Sequence, residues 1–197
     1  MQTTYFATCF FYQKVKDFPY IRYLRKHKEK GFDFIIDKLT NSIENIQTGE
    51  VFDTNIIRLT DADSGLVKKL DWQFDWGKEL RDKTKKSYKL TTMNNPGIIQ
   101  GLVSIEDKQD HIFMHLIESA KFNVGRNKVY LGVPGNLIAY VCKVSYDKGY
   151  EGFVAFDAKT ALIKHYEETL HATHFRGQRM FIETNAALRL ISHYFKS

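Results

Sequence analysis

Gly132-Val133-Pro134-Gly135-Asn136-Leu137, inside the segment from Tyr130 to Ala172 that closes on His165-Tyr166-Glu167-Glu168-Thr169-Leu170-His171-Ala172, decides how this chain is read. The turn leads into Leu137, Ile138, Val141, Cys142 and Val144, apolar positions at helical spacing over residues 135–148, with Gly149 as the stop. Gly152-Phe153-Val154-Ala155-Phe156 reads as a short apolar strand. Lys159 to Leu170 reads as a second helix with Leu162, Ile163, Tyr166 and Leu170 inward. Strand and helix alternating in this way predict a parallel or mixed sheet. Unpaired amides and the dipole at a helix N-terminus both favour negative charge, so the turn is a candidate pyrophosphate receptor. A plain loop into a buried helix is the alternative.

Upstream, Tyr88 to Met93, Ile98 to Ile105 and His111 to Ser119 are strand-like runs separated by Asn94-Asn95-Pro96-Gly97 and Glu106-Asp107-Lys108-Gln109-Asp110, which predicts an antiparallel meander. His111 and His115, four apart, come close enough to share a metal only on a helix, and the alternation of Ile112, Met114 and Leu116 against Phe113, His115 and Ile117 favours a strand, so paired metal ligation is not expected. Ser42 to Gln47 and Val51 to Leu59 flank Thr48-Gly49-Glu50 as a hairpin. Asp61-Ala62-Asp63-Ser64-Gly65 offers N-cap residues for a helix over Leu66, Val67 and Leu70, and a second helix is expected from Trp76 to Lys85. The aspartates do not make a calcium loop, since Gly65 falls where a ligand is needed and Trp72 where a glutamate is needed. Met180 to Thr184 gives a further strand and Asn185 to Phe195 a terminal helix.

A chain of 197 residues suits one domain with a full core. Within residues 1–197 the expected parts are an aromatic and basic N-terminal extension over 1–40, a core over 42–184 and a C-terminal helix over 185–197. In the extension, Tyr20 to Lys30 reads as a basic amphipathic helix before Gly31. Its aromatics and bases suit nucleic acid, or else Tyr20, Ile21 and Leu24 simply face the core. The apolar runs are too short to span a bilayer and Met1-Gln2-Thr3-Thr4 lacks a basic signal region, so a cytoplasmic protein is expected. Cys9 and Cys142 stand far apart among apolar neighbours, as buried free thiols do. A net charge of +6 suits an acidic ligand: a cofactor phosphate, a nucleic acid or a membrane surface.

The order of elements resembles the GCN5-related N-acetyltransferase (GNAT) family over about residues 42–184, most specifically between Glu118 and Ala172. The resemblance implies an α+β, three-layer fold with a mixed, mostly antiparallel central sheet flanked by helices, acyl-CoA N-acyltransferase-like. It implies acetyl-CoA as cosubstrate, without a metal, lying in a splay between the fourth and fifth strands, and a primary amine as acceptor. Gly132, Val133, Gly135, Asn136 and Leu137 would then hold the pyrophosphate, and backbone amides near Ile117 and Ser119 the reacting carbonyl. Tyr166 would be the general acid for the leaving thiolate, and Glu118 the base that neutralises the amine. Pro134 stands where the family has a second Gly or Ala, Val129 where it has Gln or Arg, and His171 where it has Gly. Proline removes one N–H from the turn, although it suits the start of a helix. Two other readings stay open: a non-catalytic acetyltransferase-like binding or regulatory module, and a nucleic-acid-binding protein.

Overall fold

The computed structural model describes Ile36, residues 42–68 and residues 71–195, all within the second of two units, Gly31–Ser197. The helix expected over Tyr20 to Lys30 lies outside the described residues. Strands β1 (Ser42–Asn45) and β2 (Val51–Arg58) form the expected hairpin. Its turn is set by Asn45, whose Oδ1 accepts the N–H groups of Gln47 (2.9 Å) and Thr48 (3.2 Å). The meander follows as β3 (Lys85–Thr92), β4 (Asn95–Asp107) and β5 (Ile112–Ser119), all antiparallel. After β6 (Tyr130–Leu131) come helix α2 (Val133–Asp147), β7 (Val154–Asp157), α3 (Ile163–Leu170), β8 (Thr173–Arg176), β9 (Arg179–Ile182) and α4 (Thr184–Tyr194); α1 (Trp76–Arg81) precedes β3. The strands make one sheet in the order β6-β1-β2-β3-β4-β5-β7-β9-β8, mixed because β7 runs parallel to β5.

Several local expectations are corrected. The helix expected at Asp61 is a 3₁₀ turn, Asp61–Leu66, held by reciprocal Thr60 and Asp63 contacts and entered by Gly65, a poor helix former. The helix from Trp76 stops at Arg81, because Asp82 Oδ1 takes the N–H of Thr84 (3.1 Å) and turns the chain into β3. Lys159 to Leu170 splits into a 3₁₀ turn, Thr160–Leu162, and α3. Strands β6 and β8 were not expected. They are two and four residues long, and every residue of β8 is exposed, so neither carries an apolar alternation.

The sheet has a different core on each face. On one, α2, α3 and α4 pack through Leu137, Ile138, Val141, Tyr166 and Leu190 on Leu90, Val103, Ile105, Ile112, Met114 and Ile117. On the other, Trp72 and Trp76 pack on Leu59, Ile99 and Leu102, with Leu116 alongside. Burying each such side chain contributes about 1.5–3 kcal/mol. A bulge joins the two faces: Ser104 pairs with Leu116 and Ile105 with Met114, so His115 is the extra residue of β5. The alternation is thereby reset. Met114 and Ile117 both face α2, while Phe113, His115, Leu116 and Glu118 all face the side of α1.

Candidate active site

Strands β5 and β7 pair at Ile112 with Val154 and at Phe113 with Ala155, and among the described residues no further pairs join them. From there β7 turns its ladder to β9 while β5 runs on to Ser119 along β4. The two parallel strands therefore open toward their C-terminal ends. Ala120 donates its N–H to Gln100 O on β4 (2.9 Å), so strand alternation aims the N–H groups of Ile117 and Ser119 into the opening. Such a pair of fixed donors can hold a carbonyl oxygen that gains negative charge.

Helix α2 begins at the mouth of this opening. Gly132 precedes it with φ 89°, a left-handed conformation that costs a side chain energy and glycine little. Gly101 of β4 lets the helix come close, since a Cβ there would lie 2.7 Å from Val133 Cγ1, 3.0 Å from Leu137 Cδ1 and 3.1 Å from Glu118 O. Val133 and Gly135 supply N–H groups in the first turn and Pro134 none. Gly132 through Leu137 are all buried. Asn136 turns its side chain inward: Nδ2 donates to Gly132 O (2.9 Å) and Ser42 O (3.3 Å), and Oδ1 accepts from Thr54 Oγ1 (3.0 Å). Leu137 is core. Of the residues expected at the pyrophosphate, the side chains of Asn136 and Leu137 thus fasten the turn to the sheet, which leaves backbone amides as the groups suited to phosphate.

The long connection from β5 to α2 is tied down by Asn123, which the sequence did not single out. Its Nδ2 donates to Gln100 Oε1 (2.9 Å) and Gln100 O (3.2 Å), and its Oδ1 accepts the N–H of Tyr130 (3.2 Å). One buried amide therefore links β4, the loop and β6 just ahead of Gly132.

Glu118 stands at the end of β5 as expected, but its carboxylate is engaged. Gln73 N–H donates to Oε1 (2.5 Å), and Phe74 N–H (3.3 Å) and Trp76 Nε1 (2.7 Å) donate to Oε2. Three donors hold both oxygens and fasten the loop before α1 to the sheet, so in this arrangement Glu118 is an anchor. Tyr166 is wholly buried on α3, edge-on to Phe156 of β7 (centroids 5.8 Å apart) and to His165 (5.4 Å). It packs on β7 within the core of the α2 side, away from Glu118 on the opposite face.

Two further charged groups lie on the α1 side of the sheet. His115 Nε2 is 2.7 Å from Glu106 Oε2 across the β4–β5 ladder, and Lys108 Nζ is 2.6 Å from Glu106 Oε1. Arg179 grips Asp157 through Nε (2.6 Å) and Nη2 (3.0 Å) and lies 4.6 Å over the Phe113 ring. Their sequence signal was weak: Glu106 and His115 come to one face only through the register that sets Glu106 opposite Phe113, which no local spacing shows. Cys142 is fully buried, and burial pushes its thiol well above the ordinary range, which suits core packing and not nucleophilic attack. Among the described residues no group of three or more His, Cys, Asp or Glu is arranged to hold a metal ion.

No protein-family model matches the chain, and no curated protein matches it either. Solved structures do. The AtaTR complex bound with AcCoA is 18% identical over 70% of this chain and 98% of that one, with a TM-score of 0.51. The KacTA–DNA complex is 13% identical over 71% and 99%, with a TM-score of 0.52. A variant of the AtaT toxin bound to the C-terminus of the antitoxin AtaR and acetyl-CoA is 15% identical over 71% and 99%, with a TM-score of 0.50. At these identities the likeness is one of fold: the chain has the acyl-CoA N-acyltransferase-like fold, with a curled mixed sheet and helices on its faces.

Proposed function

We propose that the protein is an acetyl-CoA-dependent N-acetyltransferase that moves an acetyl group to a primary amine by direct attack. The observation that carries this reading is the opening between β5 and β7, with the Ile117 and Ser119 amides aimed into it and the first turn of α2 at its mouth. Two of the similar structures, the AtaTR complex and the AtaT variant, are bound with acetyl-CoA. The amides of Val133 and Gly135 would take the pyrophosphate, aided by the helix dipole. Helices α2, α3 and α4 fill one face, so the acceptor comes from the side of α1. As the amine adds to the thioester carbon, the Ile117 and Ser119 N–H groups would stabilise the oxyanion. Tyr166, packed on Phe156 of β7, would protonate the thiolate that leaves.

The test is titration calorimetry with acetyl-CoA, followed by release of free CoA thiol in the presence of a panel of primary amines that includes polyamines, peptide N-termini and aminoacyl-tRNA. Binding together with amine-dependent thiol release is expected. An absence of heat at millimolar acetyl-CoA would leave a non-catalytic module. Tyr166→Phe should lower turnover about 100-fold with cofactor affinity kept; full turnover in that variant removes the tyrosine from the acid role.

A further inference from the structure

We infer that Glu118 is a positioning residue for the reacting thioester: its carboxylate clamps the free end of β5 to the loop before α1 and so sets where the Ile117 and Ser119 N–H groups point. This rests on the acetyltransferase reading above. Strand β5 has a neighbour on both sides only at Ile112 and Phe113; beyond them, among the described residues, β4 is its one ladder partner. The bulge at His115 interrupts even that ladder just ahead of the two donors. A bulged strand end paired on one side bends and twists more than a central strand, so its donors need a second hold.

Glu118 lies between the donors and is held from two directions. Ala120 gives its N–H to Gln100 O of β4 (2.9 Å), and by alternation the N–H and C=O of Glu118 turn to β4 as well. The Glu118 carbonyl oxygen accordingly stands 3.1 Å from where a Cβ on Gly101 of β4 would lie. In a trans peptide the N–H is opposite the C=O, so the Ser119 N–H, which shares a peptide with that carbonyl, faces away from β4 and into the opening. The side chain supplies the other hold on the α1 face, where Gln73 N–H donates to Oε1 (2.5 Å) and Phe74 N–H (3.3 Å) and Trp76 Nε1 (2.7 Å) donate to Oε2. With its ladder groups on β4 and its carboxylate on the loop, Glu118 is kept from rolling about the strand axis, and the peptides on either side of it are kept with it.

Stability alone does not call for a carboxylate here. Leu102, which pairs with Glu118, belongs with Trp72, Trp76 and Ala120 to an apolar cluster on this face. A well-packed apolar side chain is often the more stable occupant of such a place. What the carboxylate adds is direction: two coplanar oxygens, each fixed by a donor, with consecutive N–H groups of one loop among them. That rigidity is of use to donors that must be in place before charge develops on the carbonyl oxygen.

The test uses Glu118→Gln with two acceptors, propylamine, an ammonium at pH 7, and hydroxylamine, which is already neutral there and needs no base. Displaced donors should lower kcat about 30-fold with both amines alike, while calorimetric affinity for acetyl-CoA stays within about threefold. Infrared difference spectra of bound acetyl-CoA labelled at the thioester carbonyl read the donors without turnover: the band, lowered in wild-type protein by the N–H groups, should move back toward its position in free acetyl-CoA. Trp76→Phe removes one donor to the clamp and leaves the carboxylate, so it should show the same signature at about fivefold and stands in if Glu118→Gln folds poorly. A loss with propylamine alone makes Glu118 a base and overturns the inference. So does an unmoved carbonyl band, or a loss of acetyl-CoA affinity with kcat kept, which marks a support for the fold only. Wild-type protein that binds acetyl-CoA with an unperturbed carbonyl refutes the positioning role by itself; wild-type protein that binds none removes the acetyltransferase reading and this inference with it.

Discussion

Glu118→Gln separates anchoring from base catalysis. The native carboxylate accepts from Gln73 N–H, Phe74 N–H and Trp76 Nε1, and its residue is 9% exposed, so these bonds are little screened. A glutamine keeps one oxygen. Placed where Oε2 was, it retains the Phe74 and Trp76 bonds but sets its NH₂ against the Gln73 N–H. The substitution thus removes one charge-assisted bond of about 1.5–3 kcal/mol, weakens two others by loss of charge, and leaves a donor facing a donor. A loss of about 2–4 kcal/mol follows, which at a urea m-value of about 2 kcal/mol/M lowers the midpoint by about 1–2 M. Trp72 and Trp76 are the two tryptophans of the chain, 6.5 Å apart, so intrinsic fluorescence reads this corner directly. A cycle with Trp76→Phe should show about 1–2 kcal/mol of coupling. A variant within about 0.5 kcal/mol of wild type, with no coupling to Trp76, would refute the anchor and return Glu118 to the list of bases.

Gly101→Ala places a methyl against Val133, Leu137 and the Glu118 carbonyl, and should cost about 1–3 kcal/mol and weaken acetyl-CoA binding as α2 is pushed from the sheet; Gly97→Ala, whose Cβ meets only Asn95 Oδ1 at 3.7 Å, is the control. Equal melting temperatures for the two variants would contradict the close approach. In a Cys9→Ser background, the buried and protonated Cys142 should resist Ellman's reagent in native protein and titrate fully in denaturant; prompt native labelling would contradict its burial.

Elements with strong periodicity were legible. The hairpin at Gly49, the meander, α2, β7 and α4 all announce themselves through apolar spacing and stop residues, and their order was enough to point to the acyltransferase-like sheet. Shorter pieces were not. Two residues of β6 form a strand only because Asn123 presents Tyr130 to β1, and β8 only because β9 offers it an edge.

What the sequence determined by itself was most of the elements and the presence of Glu118 at a strand end, Gly132 at a helix start and Tyr166 within a helix, since capping and periodicity are local. What those side chains face was decided by tertiary structure alone. Register sets Glu106 opposite Phe113 and so beside His115, the bulge at His115 then carries Glu118 to that same face, and the loop before α1 closes on Glu118. Spacing along the chain encodes neither contact, because both depend on register between strands and on packing across the sheet.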